Sequence, residues 1–168
     1  MNGTPHLTLV RVRYSETDQM RFVYYAHHFV YYEVARTEWL AAKVLPYDQM
    51  EAQGFAIPVL EAHCQYLSPA RYGDLLAVEL SARSLDGLRI RFDYRTFRGS
   101  PQGELLATGW TVHVCMDALG KPRRPPPEVR AVLADSSRNA GDPLAVAPTG
   151  PEGMQGMRAA EHRGKERP

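Results

Sequence analysis

The residues best suited to chemistry form a short run ahead of the first long apolar segment. The run is Ser15-Glu16-Thr17-Asp18-Gln19-Met20-Arg21, and it has neither a strand nor a helix periodicity. A carboxylate such as Asp18 can act as a general base or as a nucleophile. If a helix starts just after it, unpaired N–H groups at the helix start would polarise a carbonyl placed beside the carboxylate. Asp is more commonly a cap or turn residue, so the run alone leaves both uses open.

Histidines and cysteines occur in settings that favour packing over chemistry. Adjacent residues on a helix point in different directions, and neither His27 nor His28 has a partner ligand at the four-residue spacing. We therefore interpret both as packing or pocket residues, and we expect no metal ion and no cofactor. Cys64 and Cys115 lack an obvious histidine partner and are interpreted as core residues.

A long helix is expected to follow Asp18 and to present its N-terminus toward it. Apolar side chains recur at spacings of three and four, which predicts a helix over about residues 25–43. The recurring residues are Phe29, Tyr32, Ala35 and Trp39. The helix should end near Leu45-Pro46, because the residue before a proline disfavours helical geometry.

Most of the remaining sequence alternates between apolar and polar residues, as half-buried strands do. The alternating segments are Thr8–Tyr14, Ile57–Tyr66, Leu76–Ala82, Leu88–Tyr94 and Leu106–Val114. Asp86-Gly87 predicts a hairpin, Pro69 and Tyr72-Gly73-Asp74 predict another turn, and Pro127–Ala134 predicts a short final helix. The order predicts an α+β fold in which four strands in hairpin succession pack on one long helix.

Length and composition fit one domain followed by a tail. The chain has 168 residues, of which 44% are hydrophobic and 23% are charged, enough for one domain with a hydrophobic core. We expect this domain to occupy residues 1–135. Residues 136–168 are rich in Gly, Pro and charge and have no apolar periodicity, so we expect a disordered tail.

Charge, cysteine content and hydropathy argue against several classes of protein. The net charge is +1, so the surface lacks the basic excess that binding to nucleic acid requires. Two cysteines are too few for a disulfide framework. The segment Met1–Leu9 has no signal-peptide pattern, and no apolar stretch is long enough to span a bilayer. We expect a cytoplasmic protein without stable membrane insertion.

Several segments of the chain carry a family resemblance that covers most of the expected domain and none of the tail. They are Arg13–Asp18, Val23–Ala26, Tyr32-Glu33, Ala35-Arg36, Pro58-Val59, Tyr66–Pro69, Tyr72–Asp74 and Gly120–Pro122. The sequence resembles the 4-hydroxybenzoyl-CoA thioesterase family, and especially its Tol-Pal-associated acyl-CoA thioesterase branch. The resemblance implies a hotdog fold, in which a curved antiparallel sheet wraps around one long central helix. It also implies acyl-CoA hydrolysis by a homodimer or homotetramer with its pocket at the subunit interface.

The resemblance implies roles for parts of the Asp18 segment. In the family the matching Asp activates water or attacks the carbonyl, and a helix-start amide polarises that carbonyl; these roles fall on Asp18 and on the backbone N–H of Tyr25. Arg21 stands where the family usually has Gly, and Tyr25-Ala26-His27-His28 stands where it often has His-Ala-Asn-Tyr. We favour the interpretation that this turn no longer needs the backbone freedom of glycine. The alternative is that Arg21 binds a phosphate of the substrate.

Two histidines and several cations are candidates for binding an acyl-CoA substrate. They are His27, His28, Arg89, Arg91, Lys121, Arg123 and Arg124. Cations near the hairpin turn and in the later loop suit CoA phosphates, although exposed cations are commonly only solvated.

Three alternatives compete with Asp18-dependent hydrolysis. Glu33 is a rival carboxylate, because some distant hotdog enzymes place the catalytic carboxylate on the helix. A non-catalytic acyl-thioester-binding protein would keep the fold without the chemistry. A hotdog 3-hydroxyacyl-thioester dehydratase would need a catalytic His beside a Pro-Gly turn, a setting that none of the six histidines has.

Overall fold

The computed structural model describes residues 5–139, with side chains described for residues 5–134. Its helices are α1 (His27–Lys43), α2 (Tyr47–Ala52) and α3 (Pro127–Asn139), and a 3-10 turn covers Tyr14–Glu16. Its strands are β1 (His6–Arg11), β2 (Phe55–Ala56), β3 (Val59–Tyr66), β4 (Leu75–Ser84), β5 (Arg89–Arg98), β6 (Leu105–Val114) and β7 (Met116–Asp117). The predicted final helix therefore continues past Ala134 to Asn139, and residues 140–168 of the predicted tail lie outside the described residues.

The five long strands form one antiparallel sheet in the order β1-β4-β5-β6-β3. The predicted hairpin succession is wrong at its first step, because β3 pairs with β6 and not with β4. β1 occupies the edge of β4 that a β3–β4 hairpin would need. The connection after β3 instead stays on β6, where Leu67 and Ser68 both donate N–H bonds to the Leu106 carbonyl. Alternation fixes which face a side chain occupies, but it does not identify the neighbouring strand.

The predicted apolar stripe of α1 packs on one face of this sheet. Tyr32 is fully buried and stacks on Tyr94, with ring centroids 4.2 Å apart and planes within 7°. Trp39 meets Phe92 edge to face at 5.7 Å. Gly109 of β6 makes the close approach of α1 possible, because a Cβ there would lie 2.7 Å from the Tyr32 ring. Aromatic contacts therefore stabilise the packing of α1 on the sheet.

The two cysteines lie where the sequence placed them, in or beside the core. Cys115 is fully buried, and burial raises the pKa of its thiol to about 12. Cys64 is half-buried with its Sγ 3.2 Å from the Tyr32 hydroxyl, and burial raises the pKa of that thiol as well. Neither sulfur has the thiolate character that a nucleophile needs.

Two short helices complete the fold. The sequence patterns did not predict α2, because its six residues are too few to establish a helical period and it follows directly after Pro46. Its Met50 side chain is buried. α3 packs on β4, and it buries Val129 and Leu133. Within residues 5–139, no helix is long and apolar enough to cross a membrane.

Candidate active site

Asp18 sits in a tight hairpin between β1 and α1. Thr17 bridges to Val23, and the Asp18 N–H donates to the Phe22 carbonyl at 2.9 Å. The Asp18 Oδ1 atom accepts the Met20 N–H at 2.8 Å, so Asp18 does serve as a turn residue. Its other carboxylate oxygen accepts no hydrogen bond from the described residues. The side chain is thus oriented by one oxygen and has the second available for chemistry.

Arg21 closes this hairpin in a left-handed conformation. Its φ is +63°, and it is the one described non-glycine residue with a positive φ. Its N–H donates to the Asp18 carbonyl at 2.9 Å. Our interpretation that the turn no longer needs glycine's backbone freedom is therefore wrong, because the chain keeps the left-handed geometry and places an L-residue in it. The Arg21 side chain is exposed and forms no ion pair with the described residues.

The start of α1 presents free amides close to this hairpin. The first amides bonded within the helical turn are those of His27, which donates to the Tyr24 carbonyl at 2.9 Å, and His28, which donates to the Tyr25 carbonyl at 3.4 Å. The N–H of Tyr25 has no acceptor among the described residues, as expected for the first turn of a helix. The Tyr66 hydroxyl of β3 donates to the Tyr25 carbonyl at 3.1 Å and ties this turn to the sheet edge.

The hairpin that holds Asp18 leads directly into the helix start, since the Tyr24 N–H donates to the Glu16 carbonyl at 2.9 Å. The pKa of the exposed Tyr24 hydroxyl is raised, chiefly by its hydrogen bond and charge interaction with Tyr25 and additionally by the negative charge of Asp18. An open cavity of about 430 Å³ is lined by Asp18 with Tyr14, Thr17 and Gln19. A ligand in this cavity would contact Asp18.

The loop between β3 and β4 is hydrogen-bonded to the chain on both sides of the Asp18 hairpin. The Val23 N–H donates to the Ala70 carbonyl at 2.8 Å, and the Val12 N–H donates to the Asp74 carbonyl at 2.9 Å. Arg98 fixes this loop by pairing with Asp74 and by donating to the Pro69 carbonyl. The connection from β3 to β4, whose path the sequence patterns did not predict, therefore positions both ends of the Asp18 segment.

The two histidines have different surroundings. His28 is 3% exposed, and its ring meets those of Tyr31 and Tyr66 edge to face at 5.9 and 5.2 Å. Burial, with a smaller contribution from the charge of His27, lowers the pKa of His28 to about 4, so the ring is neutral at pH 7. His27 is half-buried, and its ring meets that of Tyr24 edge to face at 6.3 Å. Of the two, His27 is the more exposed.

The candidate cations lie at the far end of the sheet from Asp18 of the same chain. Arg98, the last residue of β5, donates to the Pro69 carbonyl in the loop that is bonded to the Asp18 hairpin. Arg89 is the first residue of the same strand. β5 has 10 residues, which span roughly 30 Å at about 3.3 Å per residue. Arg89 pairs with Asp86 at 2.8 Å, and Lys121 and Arg123 flank the β7 turn at the same end as Arg89.

Arg91 is engaged within the sheet and is not free for a ligand. It donates to Asp93 at 2.8 Å, and its guanidinium lies 4.5 Å from the Trp110 ring centroid. These groups occupy the sheet face opposite α1, because the alternate residue Phe92 packs under the helix. Glu33, the rival carboxylate, is exposed nearly two turns into α1, away from the free amides at its start.

Two residues of the site received no role from the sequence. Glu16 is a buried carboxylate at the start of the hairpin, and Tyr66 anchors the helix start. The three-residue spacing of Arg13 and Glu16 was visible in the sequence, but it does not reveal that the carboxylate is buried. The Tyr66 contact spans 41 residues and has no local signal.

Comparison with known proteins gives a consistent result. Residues 12–133 match the family described as the thioesterase-like superfamily. The chain is 33% identical over 132 residues to the acyl-CoA thioester hydrolase YbgC of Escherichia coli O6:H1, covering 78% of this chain and 97% of that protein. The crystal structure of TT1821 from Thermus thermophilus matches at 35% identity and a TM-score of 0.72, covering 78% of this chain and 98% of that one. Slr0204 of Synechocystis, a 1,4-dihydroxy-2-naphthoyl-CoA thioesterase, matches at 26% identity and a TM-score of 0.72, covering 80% and 98%.

The antiparallel sheet and the helix packed on it agree with the hotdog-like fold of these thioesterase structures. The chain belongs to the thioesterase-like superfamily.

Proposed function

We propose that the protein is an acyl-CoA thioesterase that releases free acid and CoA, with Asp18 as its catalytic carboxylate. The observation that carries this proposal is a turn-anchored carboxylate, with one oxygen unbonded within the described part of the chain, in a hairpin that leads through Tyr24 to the free Tyr25 amide just before α1. The names of the relatives support the same chemistry. No cofactor is needed for it.

The reaction follows from these two groups. The thioester carbonyl oxygen accepts the Tyr25 N–H, which stabilises the negative charge that develops on that oxygen. Asp18 then either takes a proton from water, which adds to the carbonyl carbon, or attacks that carbon itself to give an anhydride that water opens. In both routes the C–S bond breaks, the sulfur leaves as the CoA thiolate and is protonated, and the acyl group gains the hydroxyl of water.

We further propose that the active form is a homodimer or homotetramer built through the β3 edge. β3 is the outer strand beside β6, and its Val59 and Leu60 side chains are 57% and 52% exposed. An edge strand with exposed apolar side chains favours pairing with a second copy. The sheet would then continue across two copies, with an α1 helix on each.

Antiparallel β3 pairing would also explain where the cations lie. The pairing turns the second copy end for end, so the Val59 end of one copy opposes the Tyr66 end of the other. Arg89, Lys121 and Arg123 of that second copy would then approach the Asp18 side of the first. CoA phosphates would be bound across the subunit boundary, while the acyl group enters the cavity beside Asp18.

The function is tested by measuring release of free CoA thiol from a panel of aliphatic and aromatic acyl-CoAs. Turnover of at least one of them supports hydrolysis. Saturable acyl-CoA binding with no release of thiol would instead indicate a non-catalytic binding protein. Placement in the Tol-Pal-associated branch remains a proposal that rests on the resemblance of sequence, and a cytoplasmic location remains a proposal that rests on the cysteine content and hydropathy of the sequence.

A further inference from the structure

Glu16 is the most heavily bonded carboxylate near the candidate site. Its side chain is 3% exposed and accepts three bonds from Arg13: the backbone N–H at 2.8 Å, Nε at 2.9 Å and Nη2 at 2.7 Å. The buried Tyr31 hydroxyl of α1 donates a fourth bond at 2.9 Å. Burial acts to raise the pKa of Glu16, but the bonds from Arg13 and Tyr31 outweigh it, so the pKa lies below its usual value and the carboxylate stays ionised.

The same residue also binds the far end of the Asp18 hairpin. The Tyr24 N–H donates to the Glu16 backbone carbonyl at 2.9 Å. Glu16 therefore joins the segment before Asp18, the segment after it, and helix α1. The residue that follows Tyr24 is Tyr25, whose free amide is the proposed oxyanion donor.

These bonds connect Glu16 to both arms of the hairpin that carries the two reacting groups. The side chain fixes the chain entering the hairpin to α1, and the backbone carbonyl fixes the chain leaving it. The geometry points to Glu16 as a positioning residue that sets the distance between the Asp18 carboxylate and the Tyr25 amide. This inference rests on the proposed thioesterase function. Misplacement of a reacting group by about 1 Å can cost about a hundredfold in rate, so a small shift of the hairpin would be felt in kcat.

The test compares Glu16→Gln with two other variants under conditions where all are folded. Glu16→Gln replaces an acceptor-only carboxylate with an amide that cannot accept all four bonds. Tyr31→Phe removes only the bond from α1. Glu79→Gln is the matched control, because Glu79 is also an arginine-paired carboxylate, held by Arg95 at 2.6 Å, but lies on the sheet face opposite α1.

We expect Glu16→Gln to lower kcat by about tenfold or more, with KM within about threefold of the parent. Tyr31→Phe should lower kcat by a smaller factor of about three, and Glu79→Gln should leave kcat unchanged. A merely structural role would lower the thermal midpoint of Glu16→Gln without altering kcat per folded molecule. Parental kcat in Glu16→Gln, or an equal loss in Glu79→Gln, would overturn the proposal. If Glu16→Gln does not fold, the Tyr31→Phe result decides alone, and parental kcat there would overturn it.

A second readout separates this inference from the proposed function. Amide hydrogen exchange at Asp18 and Tyr24, whose N–H groups are bonded to the Phe22 and Glu16 carbonyls, reports on the hairpin whether or not the protein turns over any substrate. Faster exchange at these two amides in Glu16→Gln, with unchanged exchange in the core of β5, is the expected result. If the parent releases no CoA from any substrate, the proposed function fails, but this measurement still tests whether Glu16 positions the hairpin. Unchanged exchange at both amides would refute the positioning role.

Discussion

The left-handed Arg21 makes a quantitative prediction about stability. An L-residue in this region costs about 1–2 kcal/mol because its Cβ crowds the backbone, and glycine avoids that cost. Glycine in turn adds about 0.4–1 kcal/mol of conformational entropy to the unfolded chain. The difference predicts that Arg21→Gly raises the free energy of unfolding by about 0.5–1 kcal/mol. For a chain of this size, that corresponds to an increase of roughly 1–4 °C in the thermal midpoint.

The assay is thermal and urea unfolding of the parent, Arg21→Gly and Arg21→Ala. The alanine variant removes the guanidinium but keeps a Cβ at φ +63°, so it should show no such gain. A gain in both variants would mean that the guanidinium itself destabilises the fold. Destabilisation by Arg21→Gly equal to that by Arg21→Ala would refute the backbone account altogether.

The same variants test whether Arg21 binds substrate. Its side chain is exposed, so a phosphate contact there would be weak. Arg21→Gly should therefore change kcat/KM by less than about tenfold, which is about 1.4 kcal/mol. A larger loss that falls on KM and fades at high salt would assign Arg21 to the CoA phosphates.

Three further predictions concern stability and assembly. Burial lowers the folded-state pKa of both His28 and His113 to about 4, from an ordinary value of 6.5, so the unfolded chain binds more protons between these values and stability should fall as pH drops through that window. Urea unfolding should show a loss of up to about 2.7 kcal/mol per pH unit, and a flat profile from pH 6.5 to 4 would contradict it. Gly109→Ala should destabilise the fold by about 1–3 kcal/mol in urea, because its Cβ would lie 2.7 Å from the Tyr32 ring of α1 and 2.6 Å from the His63 carbonyl oxygen of β3; parental stability would show that α1 is not held so close. Light scattering should give at least a dimer for the parent and a smaller species for Leu60→Lys, whereas a monomeric parent across the micromolar range would count against β3 pairing.

Local patterns predicted the elements better than their arrangement. The three-and-four spacing around Tyr32 and Trp39 identified α1, because one apolar stripe must meet the sheet and does. The alternation of apolar and polar residues identified, for the same reason, which face of each strand packs on the core. The neighbour of β3 was not predictable, because two-residue periodicity is the same whether a strand pairs with β4 or with β6.

The candidate site, too, was predictable only in part. The position of Asp18 before a helix start followed from sequence order and family resemblance. The left-handed φ of Arg21 did not, because arginine gives no signal for a conformation that glycine usually adopts. The buried state of Glu16 depends on Tyr31, 15 residues away, and on the packing of α1 against the hairpin. Such contacts arise only when the chain is folded.

Substitution of Asp18 by Asn is the most direct test of the proposed chemistry. Asn keeps the side-chain oxygen that accepts the Met20 N–H, so the hairpin should persist and the thermal midpoint should stay near that of the parent. It loses the negative charge that accepts a proton or attacks carbon. We predict that kcat for CoA release falls by about a hundredfold or more. A purified, folded Asp18→Asn protein with near-parental kcat would contradict the assignment of Asp18 as the catalytic carboxylate.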